Sequence, residues 1–144
     1  MTSSPRQSVD SDSVQLVNER GAIERIEAAI LEAAERHGYV KASKFAIKLS
    51  LEEALANAFH HGHKGLSPDV PVTVDYSVGP QEVRIRVQDR GPGFNPKIVP
   101  DPTLDENLEE PTGRGIMLIR AYMTSVGFNA TGNRLDMVYL KPGG

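Results

Sequence analysis

Residues 82–94 read Glu82-Val-Arg-Ile-Arg-Val-Gln-Asp89-Arg-Gly91-Pro-Gly93-Phe94, and the reading of this stretch decides the fold. Val83, Ile85 and Val87 alternate with Arg84, Arg86 and Gln88, the period of a strand with one face buried and one in water. Upstream, Val70, Val72, Val74, Tyr76 and Val78 alternate with Pro71, Thr73, Asp75 and Ser77, and Gly79-Pro80 turns the chain between the two runs. The pattern predicts an antiparallel hairpin. Asp89 keeps the parity of Val83, Ile85 and Val87, so it points to the buried side, where an ionised carboxylate is costly unless strong hydrogen-bond donors surround it. The exocyclic amine of an adenine would be such a donor, and so would a neighbouring backbone amide. Gly91 and Gly93 remove side chains where a planar ligand would approach the backbone. The same glycines also suit a tight turn closed by an Asx-type bond.

On either side of the hairpin the periodicity changes to that of helices. Ile23, Ile26, Ile30 and Ala34 form one stripe between Ala22 and His37, and Gly38 ends it. A second helix is expected from about Lys41 to His61, ending near Gly62, and a third from Gly115 to about Val126 with Ile116, Ile119, Met123 and Val126 on one face. Short strands are predicted at Ser13–Asn18, Val126–Ala130 and Arg134–Leu140, the last two flanking the turn Thr131-Gly132-Asn133. The layout is a two-layer α/β sandwich, a mostly antiparallel sheet covered by helices on one face. Residues 1–12, rich in serine and poor in apolar side chains, are expected to be a disordered tail, and 13–144 a single domain. Residues 90–112 hold five prolines and little periodicity, the composition of a functional loop such as a lid.

The second helix carries Glu53 and Asn57 within about 40° of each other, on a sector shared with Ser50, His60 and His61. Ile47, Leu51, Ala54, Leu55 and Ala58 occupy the opposite sector. A carboxamide oxygen is a hard neutral ligand that magnesium accepts beside phosphate oxygens and water. A carboxylate one turn earlier can take a proton from an attacking hydroxyl or water. Alone, such a pair is simply the wet face of a helix. Gly113-Arg114-Gly115-Ile116, placed where the third helix starts, adds free backbone amides and the positive end of the helix dipole, which face any bound anion. His60 and His63 have helical spacing for a transition metal, but no carboxylate or cysteine completes a set.

Composition narrows the class. The chain has 144 residues, 39% hydrophobic and 24% charged, with a net charge of −3. No Lys/Arg cluster is dense enough to track a phosphate backbone, so nucleic acid is not an expected partner. The absence of cysteine excludes disulfides and points to a reducing cytoplasm. No apolar run approaches the roughly 20 residues of a membrane span, and no signal peptide is expected.

In this order and spacing, Glu53–Asn57, Asp89–Gly93 and Gly113–Gly115 resemble the N box and the two glycine boxes of the GHKL ATPase superfamily. Compact size and Gly113-Arg-Gly-Ile-Met-Leu-Ile-Arg120 are most similar to the bacterial anti-sigma-factor serine kinases. The resemblance covers about residues 13–141 and implies a Bergerat-type ATP-binding fold with ATP and Mg2+ as cofactors. It assigns Glu53 as the general base on a substrate serine, Asn57 as the magnesium ligand and Asp89 as the reader of the adenine amine. Gly91, Gly93, Gly113, Arg114, Gly115 and Ile116 then flank adenine, lid and phosphates. It further implies a cytoplasmic homodimer that binds a sigma factor and phosphorylates a STAS-domain antagonist. The chain departs from the family's usual pattern at Gly132-Asn133-Arg134-Leu135, where Gly-Thr is common, and at Thr124, where an acidic residue is common. The alternative expectation is a non-catalytic module of the same fold in which ATP gates partner binding. The catalytic domain of a histidine kinase is disfavoured, because the chain has no room for a phosphoacceptor hairpin.

Overall fold

The computed structural model describes residues 9–63, 66–67, 69–91 and 111–143. Residues 92–110 of the expected lid, Gly93 among them, and the greater part of the expected tail lie outside them. The hairpin appears as β2 (Val72–Val78) and β3 (Glu82–Gln88), and three further strands complete the sheet: β1 (Asp10–Leu16), β4 (Ser125–Phe128) and β5 (Arg134–Leu140). Their spatial order is β1-β2-β3-β5-β4, and all four pairings are antiparallel. β1 starts three residues earlier than its alternation predicts, because Asp10 pairs with Val78 in the ladder and its carboxylate takes an ion pair from Arg36 (3.3 Å) and a hydrogen bond with the His37 ring (2.9 Å).

Strand parity sets the two faces. Val72, Val74, Val78, Val83, Ile85, Val87, Leu135 and Met137 are buried on one side, against α1 (Arg20–Arg36), α2 (Lys41–Asn57) and α3 (Pro111–Tyr122). The other side is polar, with Arg86 bridging to Asp136 at 2.8 Å and Arg84 to Glu82. Ile30, Ile47, Leu51, Leu55 and Ile119 are the largest helical contributions to the core. Each buried aliphatic side chain of this kind stabilises the fold by about 1.5–3 kcal/mol. No described helix is long and apolar enough to cross a membrane.

Local signals fix the helix ends. Glu19 caps α1, its carboxylate accepting from the amides of Gly21 (3.0 Å) and Ala22 (2.9 Å). Gly38, at φ +82°, provides the left-handed exit, and the Tyr39 amide closes it onto Ala34 O at 3.0 Å. α2 ends at Asn57, earlier than its periodicity predicts, and continues as one π-helical turn, Ala58–Gly62. α3 starts at Pro111, four residues before the predicted Gly115. Proline suits a first helical turn, because its φ is preset and the amide it lacks would have had no partner there.

Between α1 and α2 an acidic side chain lies inside. Glu27 on α1 is 5% exposed, and Arg20 reaches both it (3.3 Å) and Glu52 on α2 (3.0 Å). Its second carboxylate oxygen has no partner among the described residues. Burial, reinforced by the Glu52 carboxyl beside it, pushes Glu27 from 4.5 up to about 7. The folded chain therefore keeps a proton that the unfolded chain releases, and the associated stability is complete below about pH 4.5 and lost as pH rises through about 7. Glu52 is shifted down instead, so its own transition falls below that window. Glu27→Gln should flatten this slope and be more stable than wild type by about 1–2 kcal/mol above pH 7. Chemical denaturation of both proteins at pH 5 and pH 8 checks it; parallel losses would place the slope elsewhere.

Candidate functional site

Glu53 and Asn57 occupy the edge of α2 that meets α3. A Cβ placed on Gly115 would lie 3.2 Å from Glu53 Oε1, so the glycine allows the N-terminal part of α3 to close onto the carboxylate. Ile116 beside it is buried. Gly113 and Arg114 fall in the first turn of α3 and Gly115 just beyond it, rather than all three lying ahead of the helix. The first four amides of a helix have no intrahelical acceptor and Pro111 carries none, so the donors left for an anion are those of the residues that follow it in that turn, Gly113 among them, and not that of Gly115. The side chain of Arg114 lies outside the described residues.

Asn57 Oδ1 is buried without a hydrogen-bond partner among the described residues. A buried carboxamide oxygen is unfavourable until something electropositive reaches it, and a hard cation held otherwise by water and phosphate oxygens fits that need. Ser50, expected on the same polar sector, is instead completely buried, and its hydroxyl has no partner among the described residues. His60 is exposed, and the His61 side chain lies outside the described residues. No group of three potential metal-ligating His, Cys, Asp or Glu side chains occurs among the described residues.

Asp89 directly follows β3 and is 8% exposed, on the side its parity predicts. Its carboxylate accepts the Gly91 amide at 2.8 Å, and its own amide donates to Asn133 O at 2.9 Å. Burial pushes the carboxyl above its ordinary value, while the Gly91 hydrogen bond and the nearby His63 ring pull it back. The turn is packed backbone to backbone. A Cβ on Gly91 would lie 1.7 Å from Gly62 O, and one on Gly62 would lie 2.2 Å from Asp89 Oδ2. Both positions therefore require glycine for close approach. The π turn brings Gly62 there, its widened register closed by the His63 amide on Ala58 O at 3.0 Å. Such turns often occur at functional sites.

Three residues of this site were not assigned to it by sequence reasoning. Gly62 reads as a helix stop, whereas it forms one wall of the Asp89 turn. His63 reads as half of a weak metal pair, whereas it is 7% exposed and its Nε2 accepts the Arg90 amide at 2.8 Å. Asn133 reads as a departure from the usual Gly-Thr. Its side-chain amide reaches Gly91 O at 3.4 Å, while its carbonyl oxygen Oδ1 accepts from Asn129 (2.9 Å) and Gln88 (3.3 Å). Asn129 in turn holds the β4–β5 turn, accepting the amides of Gly132, Asn133 and Arg134 at 2.8–3.1 Å. The unusual asparagine thus grips the Asp89–Gly91 turn at both ends.

Glu53 of α2 thus meets Gly115 of α3, Asn57 carries an unsatisfied amide oxygen one turn further on, and the Gly62 end of the α2 extension packs on the turn of the buried Asp89. The sequence model of the family described as "Histidine kinase-like ATPase domain" matches residues 16–139. Among solved structures, that of the RsbU and RsbW domains of Rv1364c from Mycobacterium tuberculosis superimposes with a TM-score of 0.59 at 16% identity. The match covers 91% of this chain and 31% of that one, so the chain spans about a third of that structure's length. At this identity the likeness is one of fold. None of the curated proteins matches the chain in sequence.

Proposed function

Because the chain belongs to the histidine kinase-like ATPase domain family, we propose that it is an ATP- and magnesium-dependent protein-serine kinase that also acts as an anti-sigma factor. The observation that carries the reading is Glu53 of α2 set against Gly115 of α3, with the unpartnered Oδ1 of Asn57 one turn further along α2 and Asp89 buried. A pocket that only recognised nucleotide would need Asp89 and the glycines but no carboxylate in the position of Glu53.

ATP would supply the γ-phosphoryl group. Asn57 Oδ1 would hold the magnesium ion, and the amides of the first turn of α3, with Arg114, would face the phosphates. Asp89 would accept the N–H of the adenine amine, and Gly91, Gly93, Gly113, Gly115 and Ile116 would flank the nucleotide. Glu53 would take the proton from a substrate serine hydroxyl. Phosphoryl transfer asks a protein mainly for positioning and charge stabilisation, so a pocket of this size suffices. The protein substrate would be a STAS-domain antagonist that competes with a sigma factor for a cytoplasmic kinase homodimer. The fold shared with the structure titled for RsbU and RsbW domains supports a regulatory setting of this type.

The test is intact-mass detection of phosphate transfer from Mg-ATP to STAS-domain proteins of the same organism. The expected result is a single phosphoserine on one of them. Measurable ATP binding without transfer to any of them would replace the kinase with an ATP-gated binding module.

A further inference from the structure

Each backbone amide of the Asp89–Gly91 turn is committed. Asp89 N–H donates to Asn133 O, Gly91 N–H to Asp89 Oδ1, and Arg90 N–H to His63 Nε2. The last bond is of a different kind from the other two. It is a side-chain bond from the end of the α2 extension, the element that carries Glu53 and Asn57, to the turn that carries Asp89. The imidazole is itself fixed by burial, by its own amide on Ala58 O (3.0 Å), and by an edge contact with the Phe59 ring at 5.9 Å and 79°.

We propose that His63 is a positioning residue for nucleotide recognition: its Nε2 lone pair holds the Arg90 amide and so keeps the Asp89 carboxylate aimed at the purine amine. The proposal rests on the ATP-binding reading above and adds a residue and a pH dependence to it. An amide can donate to Nε2 only if that nitrogen is bare, so the working ring is neutral with its proton on Nδ1. Protonation would set an N–H at Nε2 against the Arg90 N–H, donor against donor. It would also create a cation beside the Asp89 carboxylate, which competes with the purine amine for the same oxygens. The described charged residues around the ring are Asp89, whose carboxyl responds to it, and Arg90, whose guanidinium is turned away to Gln15 Oε1 at 2.8 Å. Phe59 contributes no charge.

Two measurements on the full chain test this. Long-range 15N–1H NMR of the His63 ring at neutral pH should show the Nδ1–H form. Calorimetric titration with ATP should show affinity about 10-fold or more lower at pH 5.5 than at pH 8, because a proton on Nε2 removes the acceptor of the Arg90 amide. His63→Leu, which leaves the Arg90 amide unpaired, should bind about 10–100-fold more weakly at pH 8. His63→Gln, which restores an acceptor at the same reach, should recover most of that affinity and lose the acid dependence. A proton on Nε2 in the wild type, or the same pH profile in wild type and His63→Gln, would overturn the proposal alone. With the Nδ1–H form present but no ATP binding at any pH, the ATP-binding reading itself falls, and the positioning role with it.

Discussion

Glu53→Ala is expected to lower phosphoryl transfer to the acceptor serine by about 10²–10⁴-fold, the usual contribution of a positioned general base, while ATP binding stays within a few-fold of wild type. Two adjacent glutamates compete for the role, and their surroundings separate them. Glu52 is engaged by Arg20 at 3.0 Å, which also reaches Glu27, in a cluster between α1 and α2. Glu53, about 100° further round the helix, packs instead against α3 beside Gly115, and no ion pair engages it among the described residues. A carboxylate held by arginine is a poor proton acceptor, because the cation stabilises its charged form. Glu52→Ala should therefore disturb stability more than transfer. Glu53→Gln should lose transfer nearly as fully as alanine, since it keeps the shape and removes the base. Single-turnover transfer from Mg-ATP, measured beside nucleotide affinity, separates the two effects. If Glu53→Gln transferred phosphate at the wild-type rate, the base would have to be another group and the kinase assignment would lose its main support.

The parts of the molecule legible in the sequence are those set by local periodicity. The two-residue period of Val83, Ile85 and Val87 carries past the end of β3 and correctly places Asp89 inside. The stripe Ile23, Ile26, Ile30 and Ala34 is the buried face of α1. Periodicity has no means of registering a single inserted residue, and the π turn at Ala58–Gly62 is such an insertion. It rotates everything after Asn57 relative to the helix face, which is why His63 meets Arg90 rather than pairing with His60. The contacts of Gly62 with Asp89 and of Asn133 with Gly91 join residues 27 and 42 or more positions apart. They exist only once α2 and the β4–β5 turn have docked on the end of β3. Glu27 was hidden for a different reason: a charged residue one position beside a helical stripe usually faces water, and only Arg20 and Glu52 from outside that stripe allow it to remain inside.

Asp89 bears a cost that its proposed role explains, and Asp89→Asn separates the two. Burial raises its carboxyl above the ordinary value of 3.8, so ionising it at neutral pH costs the folded chain free energy. Stability from the protonated form is complete below that ordinary value and lost as pH rises through the folded one, so the ionised wild type carries this cost. Asparagine keeps an oxygen for the Gly91 amide, now accepted at 2.8 Å, and removes the charge. The nucleotide-free variant should therefore melt no lower than wild type at pH 7. Its new N–H2 would meet the amine of adenine donor to donor, where a charged acceptor had been. Losing one charge-assisted bond and leaving both donors unpaired should weaken ATP binding by about 30–1000-fold. The preference for ATP over GTP should disappear with it, because the carbonyl that guanine presents at the same position suits an amide donor better than a carboxylate. Calorimetric titration of wild type and variant with both nucleotides, next to thermal melts without nucleotide, reads all three effects. Equal ATP and GTP affinity in the wild type would remove Asp89 from recognition. A melting temperature that fell while ATP binding persisted would make it a structural acid, retained to close the Gly91 turn.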